Sequence, residues 1–212
     1  MSRPIDTGLQ QIKTLLLKME KIAFESLDMA LKGFLNQEDV HHQIRAWSNT
    51  LLILSEELED KATEMMALHQ PMAGDLRALK AYIKIAYDVE RFGRYALDIS
   101  ELNNSLGSWE PITDSEIAIE DMGRKVLEIL STAMKLTETN DSSLVFKLSS
   151  LESEVDALYL QNLKNISESK AGAKTIIAYT LVIRYLERVS DHAAYIAESI
   201  TYILTGKRMY LR

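Results

Sequence analysis

A chain of 212 residues with 47% hydrophobic content can fill one large core or two small ones, and only 8 Gly and 3 Pro punctuate it. That scarcity of breakers favours long helices over a strand-rich fold, which needs a turn every ten residues or so. The formal charge of −7 argues against a nucleic-acid partner. The absence of cysteine excludes disulfides, thiolate zinc sites and cysteine nucleophiles, so any metal must be held by oxygen or imidazole.

The first stretch, about Asp6 to Leu35, places Leu9, Ile12, Leu16, Met19, Ala23, Leu27 and Leu31 at a rhythm of roughly 3.5 residues and predicts a helix ending near Asn36-Gln37. A second, about Asp39 to His69, carries Val40, Ile44, Trp47, Leu51, Leu54, Leu58 and Met65, with Trp47 expected in the core, and stops where Pro71 forbids continuation. A third runs from about Met72 to Leu102. Breakers then crowd into Asn103 to Pro111, which predicts a linker near the midpoint; Trp109 within it is expected either to pack between the halves or to meet a partner. Thr113 and Glu116 form a capping box ahead of a fourth helix with Ile117, Met122, Val126, Ile129, Leu130 and Met134 on its buried face. A break at Thr139-Asn140-Asp141 precedes a fifth helix, about Ser142 to Ser167. Ala171-Gly172-Ala173 opens a sixth that reaches about Leu204 and closes at Gly206. The prediction is an all-α fold of six long antiparallel helices.

The chain also repeats itself. Ala81-Tyr82, Glu90-Arg91, Ala96, Ile99 and Glu101 recur 97 residues later as Ala178-Tyr179, Glu187-Arg188, Ala193, Ile196 and Glu198. The six helices therefore divide into two tandem three-helix bundles, residues 1–104 and 112–212, related by an internal repeat.

The copied positions include acids. Glu187, Asp191 and Glu198 stand at i, i+4 and i+11, which at about 100° per residue return to one face within roughly 40°. Unpaired carboxylates beside so many apolar residues are costly, so a cation is expected to answer them. Glu152 and Asp156 make an i, i+4 couple on the fifth helix, and an antiparallel sixth faces them with Glu187 and Asp191. Such an oxygen-rich set suits Mg²⁺, Ca²⁺, Mn²⁺ or Fe²⁺. The second helix carries the same couple in Glu56 and Asp60, and the third supplies Glu90, but Arg94 stands at the position matching Asp191. For any single couple, a solvated face with i, i+4 ion pairs is the plain alternative.

From Gln70-Pro71-Met72-Ala73-Gly74-Asp75-Leu76-Arg77 onward the chain resembles the PhoU family, accessory regulators of high-affinity phosphate uptake. That family carries Gln-Pro, then Asp-Leu-Arg, then a helix ending in Glu-Arg-Ile-Gly-Asp, with the unit duplicated. The copies here read Glu90-Arg91-Phe92-Gly93-Arg94 and Glu187-Arg188-Val189-Ser190-Asp191, and the resemblance spans nearly the whole chain. It implies paired acidic helices binding multinuclear metal clusters of iron or zinc, with Mg or Mn as further candidates. It carries the ligand roles to Glu56, Asp60 and Glu90 in the first half, and to Glu152, Asp156, Glu187 and Asp191 in the second. Glu198 matches a further family acid, and Glu101 is its first-half counterpart. Arg94 replaces a family Asp, and its guanidinium is expected to neutralise Glu56, Asp60 and Glu90 in place of a metal. The resemblance further implies a non-enzymatic regulator working with a phosphate ABC transporter or permease and, in many bacteria, a sensor kinase. A homodimer is expected as its assembly.

The rival reading is a carboxylate-bridged metal oxidase, which calls for two Glu-x-x-His units facing two glutamates. Only Glu38-Asp39-Val40-His41 has that spacing, and His192 points about 140° from the Glu187 face, which marks it as a surface or satisfied histidine. The run Lys207 to Arg212 is basic, yet three charges are too few for membrane binding. With no apolar leader at the start and no apolar run longer than Ile176 to Ile183, a cytoplasmic protein without membrane insertion is expected.

Overall fold

Five helices of this protein end on a residue with positive φ: Gln37 (54°), Gln70 (45°), Gly107 (67°), Asn140 (56°) and Gly206 (71°). A left-handed residue turns the chain out of the helical path while its N–H reaches back to a terminal carbonyl, as Asn140 does to Leu136 and Gly206 to Tyr202. The computed structural model describes residues 3–112 and 117–211; the Thr113/Glu116 capping box lies outside them. The helices are α1 (Pro4–Asn36), α2 (His41–His69), α3 (Ala73–Leu106), α4 (Ile119–Thr139), α5 (Ser143–Glu168) and α6 (Ala173–Thr205), and no strand occurs among the described residues.

The third helix runs past the predicted end at Leu102 to Leu106. Asn103 is therefore no breaker here: its Nδ2 donates to the carbonyls of Gly33 (3.0 Å) and Glu38 (3.1 Å), satisfying acceptors at the α1 terminus. The α2 stripe also differs from expectation, because Ser48 is buried while Trp47 is only half-buried. The cause is a close crossing of α2 and α3. Gly93 packs so tightly on Ser48 and Leu51 that a Cβ there would collide with Leu51 Cδ1. A small residue is needed at the crossing, and the indole turns aside. Met134 is likewise half-buried, its place in the core taken by Ala133.

Helices α1, α2 and α3 pack together, as do α4, α5 and α6, and the two sets join through α3 against α6 and α1 against α4. Trp109 packs between the halves: buried, its ring stacks on Phe34 at 5.5 Å, and Phe34 meets Tyr179 edge-on at 5.4 Å.

The repeat offset reappears in space. Tyr95 and His192, 97 residues apart, face each other across the α3/α6 contact. Asp88 pairs with His192, and the corresponding pair, Tyr185 with Tyr95, stacks with ring centroids 6.1 Å apart. Residue i meeting the copy of j, while j meets the copy of i, is the signature of an isologous contact about a two-fold axis. Here both partners lie in one chain.

Candidate metal centre

Couples at i, i+4 on α5 and α6 project acids into the groove between those helices. Glu152 (5% exposed) and Asp191 (4% exposed) are buried, and Asp156 lies exposed. One oxygen from each of the three falls within 4.8 Å of the others. Oxygens bound at about 2.3–2.6 Å around a single Ca²⁺ span at most roughly 5 Å, so three donors this close could hold Ca²⁺ as they stand, whereas Mg²⁺, bound at about 2.0–2.1 Å, needs them to draw slightly together.

Glu187 lies one turn before Asp191. Burial pushes its carboxyl above the ordinary range, the like charges of Asp191 and Asp156 add to the rise, and Arg184 and Arg188 oppose it. Arg184 Nη1 is 2.8 Å from Glu187 Oε2, although that oxygen has no aligned hydrogen-bond donor. Arg188 Nη1 donates to Asp191 Oδ2 at 3.1 Å. The second-half groove thus carries arginines of its own on the α6 flank.

The first half is arranged differently. Glu90 is buried, with Arg94 Nη2 at 3.5 Å from its Oε1, whereas Glu56 and Asp60 are exposed and line a shallow groove with Ile53, Glu57, Lys61 and Glu64. Glu101 is exposed near the α3 terminus. Glu198 sits seven residues beyond Asp191, roughly 10 Å along the helix axis. Its Oε1 accepts from the Leu211 backbone N–H at 3.2 Å, so it fastens the C-terminal segment. His41 of the Glu-x-x-His segment has its Nδ1 3.1 Å from Ser100 Oγ.

Residues that the periodicity did not single out form a polar network at the α3/α6 contact. Asp88 Oδ1 is 2.9 Å from His192 Nδ1, and both side chains are buried. Burial raises the Asp88 carboxyl above its usual range, against the pull of His192 and then Lys84. Tyr95 Oη is 3.4 Å from His192 Nε2 and accepts from Arg91 at 3.3 Å. Tyr95 also acts on Arg188 and holds its guanidinium above the ordinary value. Arg91 and Arg188 are the arginines of the two Glu-Arg units, so both copies of the motif end on one tyrosine.

The PhoU domain family model matches residues 16–102 and 119–200. A PhoU homolog of the phosphate-specific transport system from Synechocystis is 28% identical over 207 residues, covering 96% of this chain and 92% of its own. One from Caulobacter vibrioides is 35% identical over 160 residues, 74% of this chain and 70% of its own. The crystal structure of the phosphate transport system regulatory protein PhoU from Streptococcus pneumoniae superposes with a TM-score of 0.88 at 19% identity, covering 97% of this chain and 99% of that one. PhoU from Pseudomonas aeruginosa gives 0.88 at 21%, covering 95% and 99%. With its repeat, its paired Glu-Arg units and a family match across both halves, this chain belongs to the PhoU family.

Proposed function

We propose that this chain is a non-enzymatic regulator of phosphate uptake and phosphate homeostasis, acting in the cytoplasm by contact with a phosphate transporter or its signalling partner. The observation that carries this reading is that relatives matched over nearly the whole chain are accessory proteins of phosphate-specific transport systems. Residues 1–104 and 112–212 serve as its two structural units. The exposed acids of α2, Glu56, Glu57, Asp60 and Glu64 around Ile53, favour docking on basic loops of a membrane partner.

The second part of the proposal is a cation in the α5/α6 groove, held by Glu152, Asp156 and Asp191, with Glu187 beside it. A bound divalent ion supplies a concentrated positive charge on an acidic surface. The residues of the chain set its surroundings: Arg188 holds one Asp191 oxygen, and burial of Glu152 and Asp191 limits access of water. In the first half the acids are dispersed, Glu56 and Asp60 exposed on α2 and Glu90 buried beside Arg94, and this arrangement disfavours a second cation.

Deletion of the gene tests the regulatory reading. Phosphate uptake is expected to be derepressed, or polyphosphate to accumulate, with the normal response restored by the intact gene. An unaltered phosphate response would count against it, and catalytic oxygen consumption by iron-loaded protein would favour the oxidase instead.

A further inference from the structure

Where the end of α6 meets α3, the C-terminal segment 207–211 folds back and forms one side of a half-open cleft of about 240 Å³. It is lined by Lys80 and Lys84 from α3, Glu198 and Tyr202 from α6, and Arg208 and Tyr210 from the segment. Gly206 makes the return possible: its φ of 71° breaks the helix, and its Cα lies against Arg77, whose guanidinium would be about 3.5 Å from any Cβ. Glu198 then pins the segment through Leu211 N–H, and Met209 and Leu211 pack on the core. The basic end that looked too sparse in sequence is thereby set beside two lysines more than 120 residues away.

The charges do not balance locally. Lys80, Lys84 and Arg208 form no salt bridge among the described residues, although Lys84 lies 5.3 Å over the Tyr195 ring and its charge acts on the Asp88 carboxyl one turn along α3. Against these three cations stand Glu198, the buried Asp88 carboxyl that burial pushes toward its neutral form, and the negative end of the α6 dipole, worth about half a charge. Two lysines at i, i+4 on one helix face repel each other, and Arg208 adds to the repulsion. In a chain of net charge −7, a cleft that gathers three cations and two tyrosines suits an anion. Its size, below the roughly 300 Å³ of ordinary ligand pockets, suits a small one.

The geometry points to a binding site for a free phosphate-class oxyanion, inorganic phosphate or pyrophosphate, held by Lys80, Lys84 and Arg208 beneath the C-terminal segment. Arg208 offers a fork of N–H donors, the lysines offer point charges, and the hydroxyl of Tyr202 donates a neutral hydrogen bond. This site is separate from the carboxylate groove and needs no metal.

Isothermal titration of the full-length protein, freed of metal with EDTA, with phosphate and pyrophosphate at matched ionic strength tests the assignment. Saturable binding of one anion is expected, unchanged in Asp156→Asn. It should weaken at least ~10-fold in the Lys80→Gln/Lys84→Gln double variant and in Arg208→Gln. Arg208 lies outside the helices, so its variant reads the site without endangering the bundle, and circular dichroism checks the double variant. Three results would overturn the proposal: no saturable binding, equal binding by all variants, or binding only to vesicles containing phosphatidic acid and not to free anions. Loss of binding in Asp156→Asn alone would also overturn it and place the anion at the groove.

Discussion

Tyr95 and His192 occupy corresponding positions of the two repeats and touch each other, Tyr95 Oη lying 3.4 Å from His192 Nε2. The contact closes a chain that runs from Asp191 through Arg188 to Tyr95, and through His192 to Asp88. Tyr95→Phe keeps the ring stacking but removes the hydroxyl that meets Arg91 and His192. A loss of about 1–3 kcal/mol is expected in urea unfolding. His192→Ala should cost more, on the order of 3 kcal/mol, because it strands the buried Asp88 carboxyl, whose Oδ2 already has no partner. Equal stability of both variants and the parent would refute the role given to this contact.

Glu20 provides a test by pH. It is 3% exposed in the α1/α4 contact; Oε1 accepts from Thr137 Oγ1 at 2.8 Å, and Oε2 has no partner. Burial pushes its pKa up to about 8, against the Thr137 hydrogen bond and Lys13, with Glu138 adding to the rise. The native state keeps this proton up to about 8, whereas the unfolded chain releases it near 4.5. The stabilising contribution is thus fully present below about 4.5 and is lost as pH climbs through 8. Glu20→Gln fixes the neutral form. It should raise stability at alkaline pH by on the order of 2 kcal/mol, roughly 4–8 °C in Tm, and flatten the decline with pH. Parallel pH profiles for variant and parent would contradict this account.

Gly93 sets the α2/α3 crossing. Alanine is the better helix former by about 1 kcal/mol. Here its methyl group would run into Leu51 Cδ1, and Leu51, fully buried, would have to shift against its packed neighbours. Overpacking should win, so Gly93→Ala is expected to lower stability by about 1–2 kcal/mol in denaturant unfolding. A stabilised variant would show that the crossing has slack.

The helices were legible because apolar spacing and terminal residues agree: Pro71 bars the second helix from continuing, and Asn140 and Gly206 take the left-handed conformation that closes theirs, whereas Gln37 and Gln70 adopt it without a side chain that favours it. Asn103 misled because a side-chain amide that caps a neighbouring helix has the same letter as one that breaks its own. Trp47 misled because periodicity names a face without saying how close the next helix comes, and Gly93 decides that. Glu152, Asp156 and Asp191 were found from i, i+4 spacing, and the structure groups them. Glu198 shares their face by angle but lies too far along the axis, a distance that an angular argument discards. The Asp88 and His192 pair had no local signal. Its only trace was the 97-residue offset, which marks Tyr95 and His192 as equivalents before any contact between them is known.

The central claim is an unequal division of metal between two similar halves, and anomalous scattering from crystals of protein purified without added metal tests it most directly. A peak is expected between Glu152, Asp156 and Asp191, and none beside Glu90, where Arg94 stands. Asp191→Ala should remove most of the metal found by elemental analysis, and Arg94→Asp should add a peak in the first half. Equal occupancy of both halves in the unmodified protein, or no peak in the α5/α6 groove, would contradict the account.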